Sequence, residues 1–154
     1  MTQVRNVAVV VGSLRKDSVS RKLAKAFAAV TPGLKFNIVE IGDLPLFDQD
    51  LEPTPPAPWV SFREEIAAAD AVLFVTPEYN RSVPGALKNA IDVGSRPYGQ
   101  SVWNGKPGAV ISLSPGAIGG FGAHHHLRQS LVFLNVPLLS QERSEEHTSE
   151  LQSH

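Results

Sequence analysis

The sequence predicts an α/β domain, a doubly wound parallel sheet with helices on both faces. Three observations carry this expectation. Continuous β-branched runs, such as Asn6-Val-Ala-Val-Val-Val-Gly12, suit strands covered on both sides. Between those runs, apolar residues recur three or four positions apart, the spacing of one helix face. Strand and helix alternate along the chain, and such alternation demands right-handed crossovers and parallel neighbours. At 154 residues the chain makes one domain, long enough to bury roughly 70% of its unfolded surface.

The elements follow in order. Residues 6–12 are the first strand. After a polar loop, Val19, Leu23, Ala26, Phe27 and Val30 mark one face of a helix, stopped by Thr31-Pro32-Gly33. Residues 35–41 alternate loosely through Phe36, Ile38 and Ile41 and read as a second strand. Residues 42–58 hold Pro45, Pro53, Pro55, Pro56 and Pro58 and read as a loop, because proline donates to neither ladder nor helix. Trp59, Phe62, Ile66 and Ala69 mark a second helix, with Pro58 in its first turn. Residues 71–75 are a third buried strand, 76–85 a loop, and 86–93 a short helix. Residues 108–113 are a fourth strand and 114–122 a glycine-rich loop. Leu127, Leu131 and Leu134 give a last helix, and residues 136–139 a fifth strand. Ligands of such sheets bind at the carboxyl ends of strands, and the three least regular loops, 12–20, 76–85 and 114–122, all follow strands.

The last thirteen residues differ. They carry four glutamates and one large aliphatic, Leu151, so they cannot cover a sheet with a helix face. A five-stranded fold would place one more amphipathic helix there. The expected division is a folded domain over 1–141 and a polar, non-native or disordered tail over 142–154. Ser144-Glu-Glu-His-Thr-Ser-Glu-Leu-Gln-Ser resembles translated sequencing-adapter read-through.

Composition excludes several classes. A hydrophobic content of 42% against 19% charged residues is a globular balance. A net charge of -1 argues against coating nucleic acid or an anionic membrane. The chain has no cysteine, so disulfides, thiolate nucleophiles and cysteine-held metal are excluded, and redox chemistry must come from a cofactor. No apolar run approaches ~18 residues, and the N-terminus lacks a signal-peptide layout, which implies a cytoplasmic protein off the membrane.

The loops carry the candidate chemistry. Gly12-Ser-Leu-Arg-Lys-Asp-Ser18 lies between strand and helix, where backbone N–H groups and the helix dipole favour an anion. Ser13, Ser18 and Ser20 offer hydroxyls there, and Arg15 offers a fork for phosphate oxygens. The alternative is plain helix capping by Ser18 or Ser20 beside a solvated arginine. The segment is neither G-x-G-x-x-G nor a Walker A loop. Thr76-Pro-Glu-Tyr-Asn80 is stiffened by proline and could hold a flat heterocycle, with Glu78 and Asn80 fixing orientation; the alternative is a turn in which Tyr79 fills a core gap. In the 114–122 loop, glycines allow close approach of a ligand or simply shape a turn. His124-His-His126 could not all face one metal, because successive helix positions point apart. These imidazoles read as surface or subunit-contact groups, and no metal site is expected.

Taken together these segments resemble the NADPH-dependent FMN reductase family, in the branch that includes chromate and quinone reductases. Gly12-Ser-Leu-Arg-Lys-x-Ser18 is similar to that family's FMN-phosphate loop. Thr76-Pro-Glu-Tyr-Asn80, then Ser82-Val-Pro-Gly85 and Leu87-Lys-Asn-Ala-Ile-Asp92, are similar to its flavin-ring loop and following helix. Ile118-Gly-Gly120 and Leu127-Arg-Gln129 are similar to a later segment. The resemblance covers about residues 4–141. It implies a flavodoxin-like fold with strand order 2-1-3-4-5, bound FMN, NADPH or NADH as co-substrate, a small-molecule electron acceptor, and homodimers or homotetramers. By the same resemblance Ser13, Arg15, Ser18 and Ser20 hold the phosphate, Pro77, Glu78, Tyr79 and Asn80 line the ring, and Ser114 and Gly116 close the other side. No side chain is expected to act as nucleophile. Two departures stand out: Val93 in place of the tryptophan many relatives carry, and the missing final helix. The competing readings are a flavodoxin-like electron carrier without NAD(P)H activity, against which near-neutral charge and Arg15 speak, and a scaffold that no longer binds flavin.

Overall fold

The computed structural model describes residues 3–140 and the backbone of 143–146. Its elements are β1 (Arg5–Val11), α1 (Val19–Val30), β2 (Leu34–Ile38), α2 (Ala57–Ala68), β3 (Ala71–Pro77), α3 (Gly85–Gly94), β4 (Gly108–Ser114), α4 (Phe121–Phe133) and β5 (Arg143–Glu146). The first four strands lie side by side in the order 2-1-3-4, all parallel. The fifth strand expected at residues 136–139 does not form: that segment makes a single bridge, Gly108 to Leu138. Pro137 lacks the N–H a ladder needs, which limits the run to that contact. Arg143–Glu146 instead pairs parallel with β4, from Ile111↔Arg143 to Ser114↔Glu146. An edge pairing of this kind uses backbone groups and asks nothing of the polar side chains. The rest of the 142–154 tail, residue 142 and residues 147–154, lies outside the described residues.

Two cores sandwich the sheet. On one side Ala8, Val10, Val72, Phe74 and Val110 meet Trp59, Phe62 and Ile66 of α2, Leu87 and Ile91 of α3, and Leu127 and Leu131 of α4. On the other, Val7, Val9, Val11, Leu73, Val75, Ile111 and Leu113 meet α1 through Ala24, with Val19, Leu23 and Phe27 partly buried. Alternate strand residues thus serve opposite cores, as the period of two requires. Val30, expected on the buried face of α1, is instead exposed, because the helix turns Ser20 and Ala24 toward the sheet. Among the described residues no helix follows α4. Beside α1 an apolar groove of about 460 Å³ runs between Phe27, Phe36, Ile111 and Leu139.

The proline-rich loop after β2 is held by side chains. Asn89 of α3 accepts from Phe47 N–H at 2.8 Å and donates to the Pro45 carbonyl at 3.1 Å; Trp59 Nε1 donates to that carbonyl at 2.8 Å. Arg96 forms a bidentate pair with Glu52 in the same region.

Phe74 is the middle of the sheet's middle, fully buried with its ring 5.5 Å from that of Trp103. Phe74→Ala is expected to cost about 3–5 kcal/mol in a urea titration, the range for a large aromatic removed from a close-packed core.

Candidate functional site

The strand register decides where the loops meet. Val11 lies opposite Val75, and Pro77 opposite Leu113, so β1, β3 and β4 end at nearly one level. Adjacent strands are about 4.8 Å apart, which sets the three following loops side by side on one rim. The closeness shows at Gly12: its N–H bonds the Val75 carbonyl at 2.8 Å, and a Cβ there would sit 2.7 Å from Thr76 Oγ1.

On this rim lies a cleft of about 310 Å³, lined by Ser13, Arg15, Ser18, Val19, Ser20, Pro77, Tyr79, Leu113, Ser114 and Pro115. Seven residues singled out from the sequence therefore border one space. Glu78, Asn80 and Gly116 do not. Asn80 sits at an exposed turn tip, Gly116 is exposed, and Glu78 points its carboxylate toward α4. Val19, Leu113 and Pro115 were not foreseen. The period-two alternation of β4 was the available signal for Leu113; Val19 and Pro115 follow only from the way the loops fold.

One end of the cleft suits an anion. Ser18 is the N-cap of α1, its Oγ accepting from Arg21 N–H at 3.0 Å. The capping alternative is thus realised, and it leaves the hydroxyl proton free to donate elsewhere. Ser13 Oγ accepts from Arg15 N–H at 3.4 Å and keeps its proton in the same way. Val19 and Ser20 open the helix, where backbone N–H groups have no intrahelical acceptor. Ser13, Ser18 and Ser20 are all buried, whereas the Arg15 side chain is exposed, with Nη2 donating to the Asp17 carbonyl at 3.3 Å. Buried hydroxyls, helix-end amides and a guanidinium are a donor set for a phosphate monoester. The other end is floored by Pro77, Leu113 and Pro115 and edged by Tyr79 and Ser114, an apolar surface suited to a flat ring. The residues present therefore fit FMN.

The second loop closes as a two-residue turn. Tyr79 and Ser82 exchange both backbone hydrogen bonds at 3.0 Å, and Asn80 and Arg81 have φ of 52° and 63°. Positive φ at both central positions is the type I′ pattern. The third loop bends through Gly119 and Gly120, with the Ser112 hydroxyl donating to the Gly119 carbonyl at 2.9 Å. Ser114 Oγ accepts from Gly116 N–H at 3.1 Å. The histidine run separates as its spacing requires. His124 is buried beside Ser112, correcting its expected surface position; His125 packs on the Phe121 ring, and His126 Nδ1 meets Ser82 Oγ at 2.8 Å.

Arg21, one turn into α1, forms a bidentate pair with Glu40 beyond β2, at 2.9 and 3.0 Å. The Arg21 hydrogen bond lowers the Glu40 carboxyl below its ordinary range, against partial desolvation and aided by the charge of Arg21. A lowered folded-state pKa gives stability that is complete above the unfolded value and lost as pH falls through the folded one. Glu40 is 65% exposed, so solvent screening keeps the pair below about 1 kcal/mol. Arg21→Met is expected to lower stability slightly at pH 7, and the difference from the parent should disappear as pH falls through the lowered Glu40 pKa, below the ordinary carboxylate range. Urea midpoints across that range measure it.

Comparison with known proteins gives the same assignment. The sequence profile of the family described as NADPH-dependent FMN reductase matches residues 5–148. A quinone reductase of Pseudomonas putida is 67% identical over 141 residues, covering 90% of this chain and 76% of the relative. A 2-hydroxy-1,4-benzoquinone reductase of a Burkholderia species is 53% identical over 136 residues, covering 88% and 74%. Among solved structures, FerB, a flavoenzyme NAD(P)H:(acceptor) oxidoreductase from Paracoccus denitrificans, superposes with a TM-score of 0.91 at 46% identity, over 96% of this chain and 82% of FerB. With the phosphate-type loop, the apolar ring floor and these likenesses in one chain, the protein belongs to the NADPH-dependent FMN reductase family.

Proposed function

We propose that this protein is an FMN-dependent NAD(P)H oxidoreductase that passes electrons from NADPH or NADH to a small-molecule acceptor. The observation that carries the reading is the single cleft in which buried hydroxyls and Arg15 at a helix N-terminus adjoin an apolar floor. The names of the relatives favour quinones as acceptors, with chromate, azo dyes and free flavin as further candidates.

Bound FMN supplies the redox chemistry, and the protein supplies position and electrostatics. Ser13, Ser18 and Ser20 would hold the phosphate by their hydroxyl protons, and Arg15 would pair with it from the exposed side. The dipole of α1 favours the same charge. Pro77, Tyr79 and Ser114, with Leu113 and Pro115, border the ring and keep water from it. Asn80 and Gly116 shape the two loops rather than touch the ligand by side chain. In this reading the sheet is flavodoxin-like, the folded domain spans about 1–141 with Arg143–Glu146 adding a fifth strand at its edge, and the protein works in the cytoplasm as a homodimer or homotetramer. Among the described residues no helix is long and apolar enough to cross a membrane.

The purified protein is expected to show flavin absorbance or to acquire it on titration with FMN. Anaerobic NADPH should bleach that absorbance, and quinone should restore it. A protein that takes up FMN but is never reduced by NADPH or NADH is an electron carrier instead. Arg15→Ala is expected to weaken FMN binding about tenfold or more, the scale of one charge-assisted hydrogen bond, with riboflavin affinity unchanged. Fluorescence titration with both flavins measures it.

A further inference from the structure

We propose that Glu78 is a positioning residue: its carboxylate caps helix α4 from the neighbouring loop and thereby fixes the 77–82 turn beside the cleft. The proposal rests on the reading of that cleft as a flavin site. Helix α4 begins without a cap of its own. Gly120, at its N-cap with φ of 79°, has no side chain to offer, and the first turn holds no acidic residue. A helix leaves its first N–H groups unsatisfied, and an acceptor carrying negative charge is favoured there twice, by hydrogen bonding and by the dipole.

Glu78 supplies that acceptor from 45 positions earlier. Its Oε2 accepts from Ala123 N–H at 3.2 Å. Ala123 is the third residue of the helix, the amide that an N-cap side chain ordinarily serves. The other oxygen, Oε1, takes Arg81 Nη1 at 3.2 Å across the tip of the turn. The Glu78 side chain is only 7% exposed, against 71% for Arg81. A carboxylate so withdrawn from water is tolerable only when its oxygens are satisfied, and both are.

Neighbouring contacts tie the same two segments. Gly122 packs so closely on the Arg81 carbonyl oxygen that a Cβ would collide with backbone. Ser82 meets His126 one turn further along α4. The turn needs such support, because Asn80 and Arg81 both hold left-handed conformations that persist only when the surroundings enforce them. Tyr79, which borders the cleft, is bonded to Ser82 across this turn and is therefore carried by the anchor. Glu78 thus acts on the cleft through the loop, from behind, without entering it.

The test compares Glu78→Ala, Glu78→Gln and Gly122→Ala with the parent. Riboflavin and FMN affinities are measured by fluorescence titration well below each melting temperature, with amide exchange of the flavin-free proteins alongside. Glu78→Ala is expected to weaken both flavins by the same factor, about tenfold, so that the FMN-to-riboflavin ratio set at the phosphate end stays constant. Exchange should quicken at Ala123 and Tyr79. Glu78→Gln, which still presents an acceptor to Ala123, should recover most of the affinity. Gly122→Ala, which pushes the turn off the helix from the other side, should reproduce Glu78→Ala. Unchanged flavin affinity in Glu78→Ala, whatever happens to its melting temperature, overturns the proposal. So does Gln as damaging as Ala, or a loss confined to the FMN-to-riboflavin ratio. A parent protein that binds neither flavin removes the functional reading, while amide exchange still decides the anchor: unchanged protection at Ala123 in Glu78→Ala overturns it.

Discussion

Parallel pairing of β1, β3 and β4 is the constraint from which the site follows. Parallel strands send their carboxyl ends to one edge, and here the register makes three of them end almost level. Loops that are far apart in sequence are then compelled to share a rim. The contact of Gly12 with Thr76 is one expression of that crowding, since any larger residue at position 12 would push the phosphate-side loop away from its neighbour. Shape at this edge is therefore a property of the sheet before it is a property of any loop.

Within that frame, polar groups serve both the fold and the site. Ser18 ends a helix properly and still keeps a proton to offer a ligand. Glu78 completes a helix that lacks its own cap while holding the neighbouring turn. In both cases a backbone amide left over by helix geometry recruits a side chain, and the recruited side chain settles the position of a loop. Local satisfaction of N–H groups and assembly of the cleft are one process here.

Much of this was readable in the residue order. The strands of the central sheet announce themselves because burial on both faces leaves unbroken β-branched runs, and the helices because Trp59, Phe62 and Ile66, or Leu127 and Leu131, keep their spacing. Segments 12–20, 76–85 and 114–122 stood out for the reverse reason, as irregular stretches directly after strands. What stayed hidden was the direction of individual side chains. The place of Glu78 depends on a helix terminus 45 residues later, and the only hint was the absence of Ser, Thr, Asp or Asn before Phe121. The burial of His124 was hidden by its two like neighbours, which point elsewhere. The run 136–139 looked like a strand from its aliphatic residues, and Pro137 outweighed them.

The left-handed pair at the turn tip sets a conflict for the protein. Asparagine adopts such a conformation readily, but for an arginine it costs roughly 1–2 kcal/mol. Glycine at position 81 would relax the backbone and leave the Glu78 carboxylate without its guanidinium. Selection for heat resistance and selection for an accurate loop thus pull this one site in opposite directions. The least strained version of the turn is not the version that pairs both oxygens of the carboxylate beneath it.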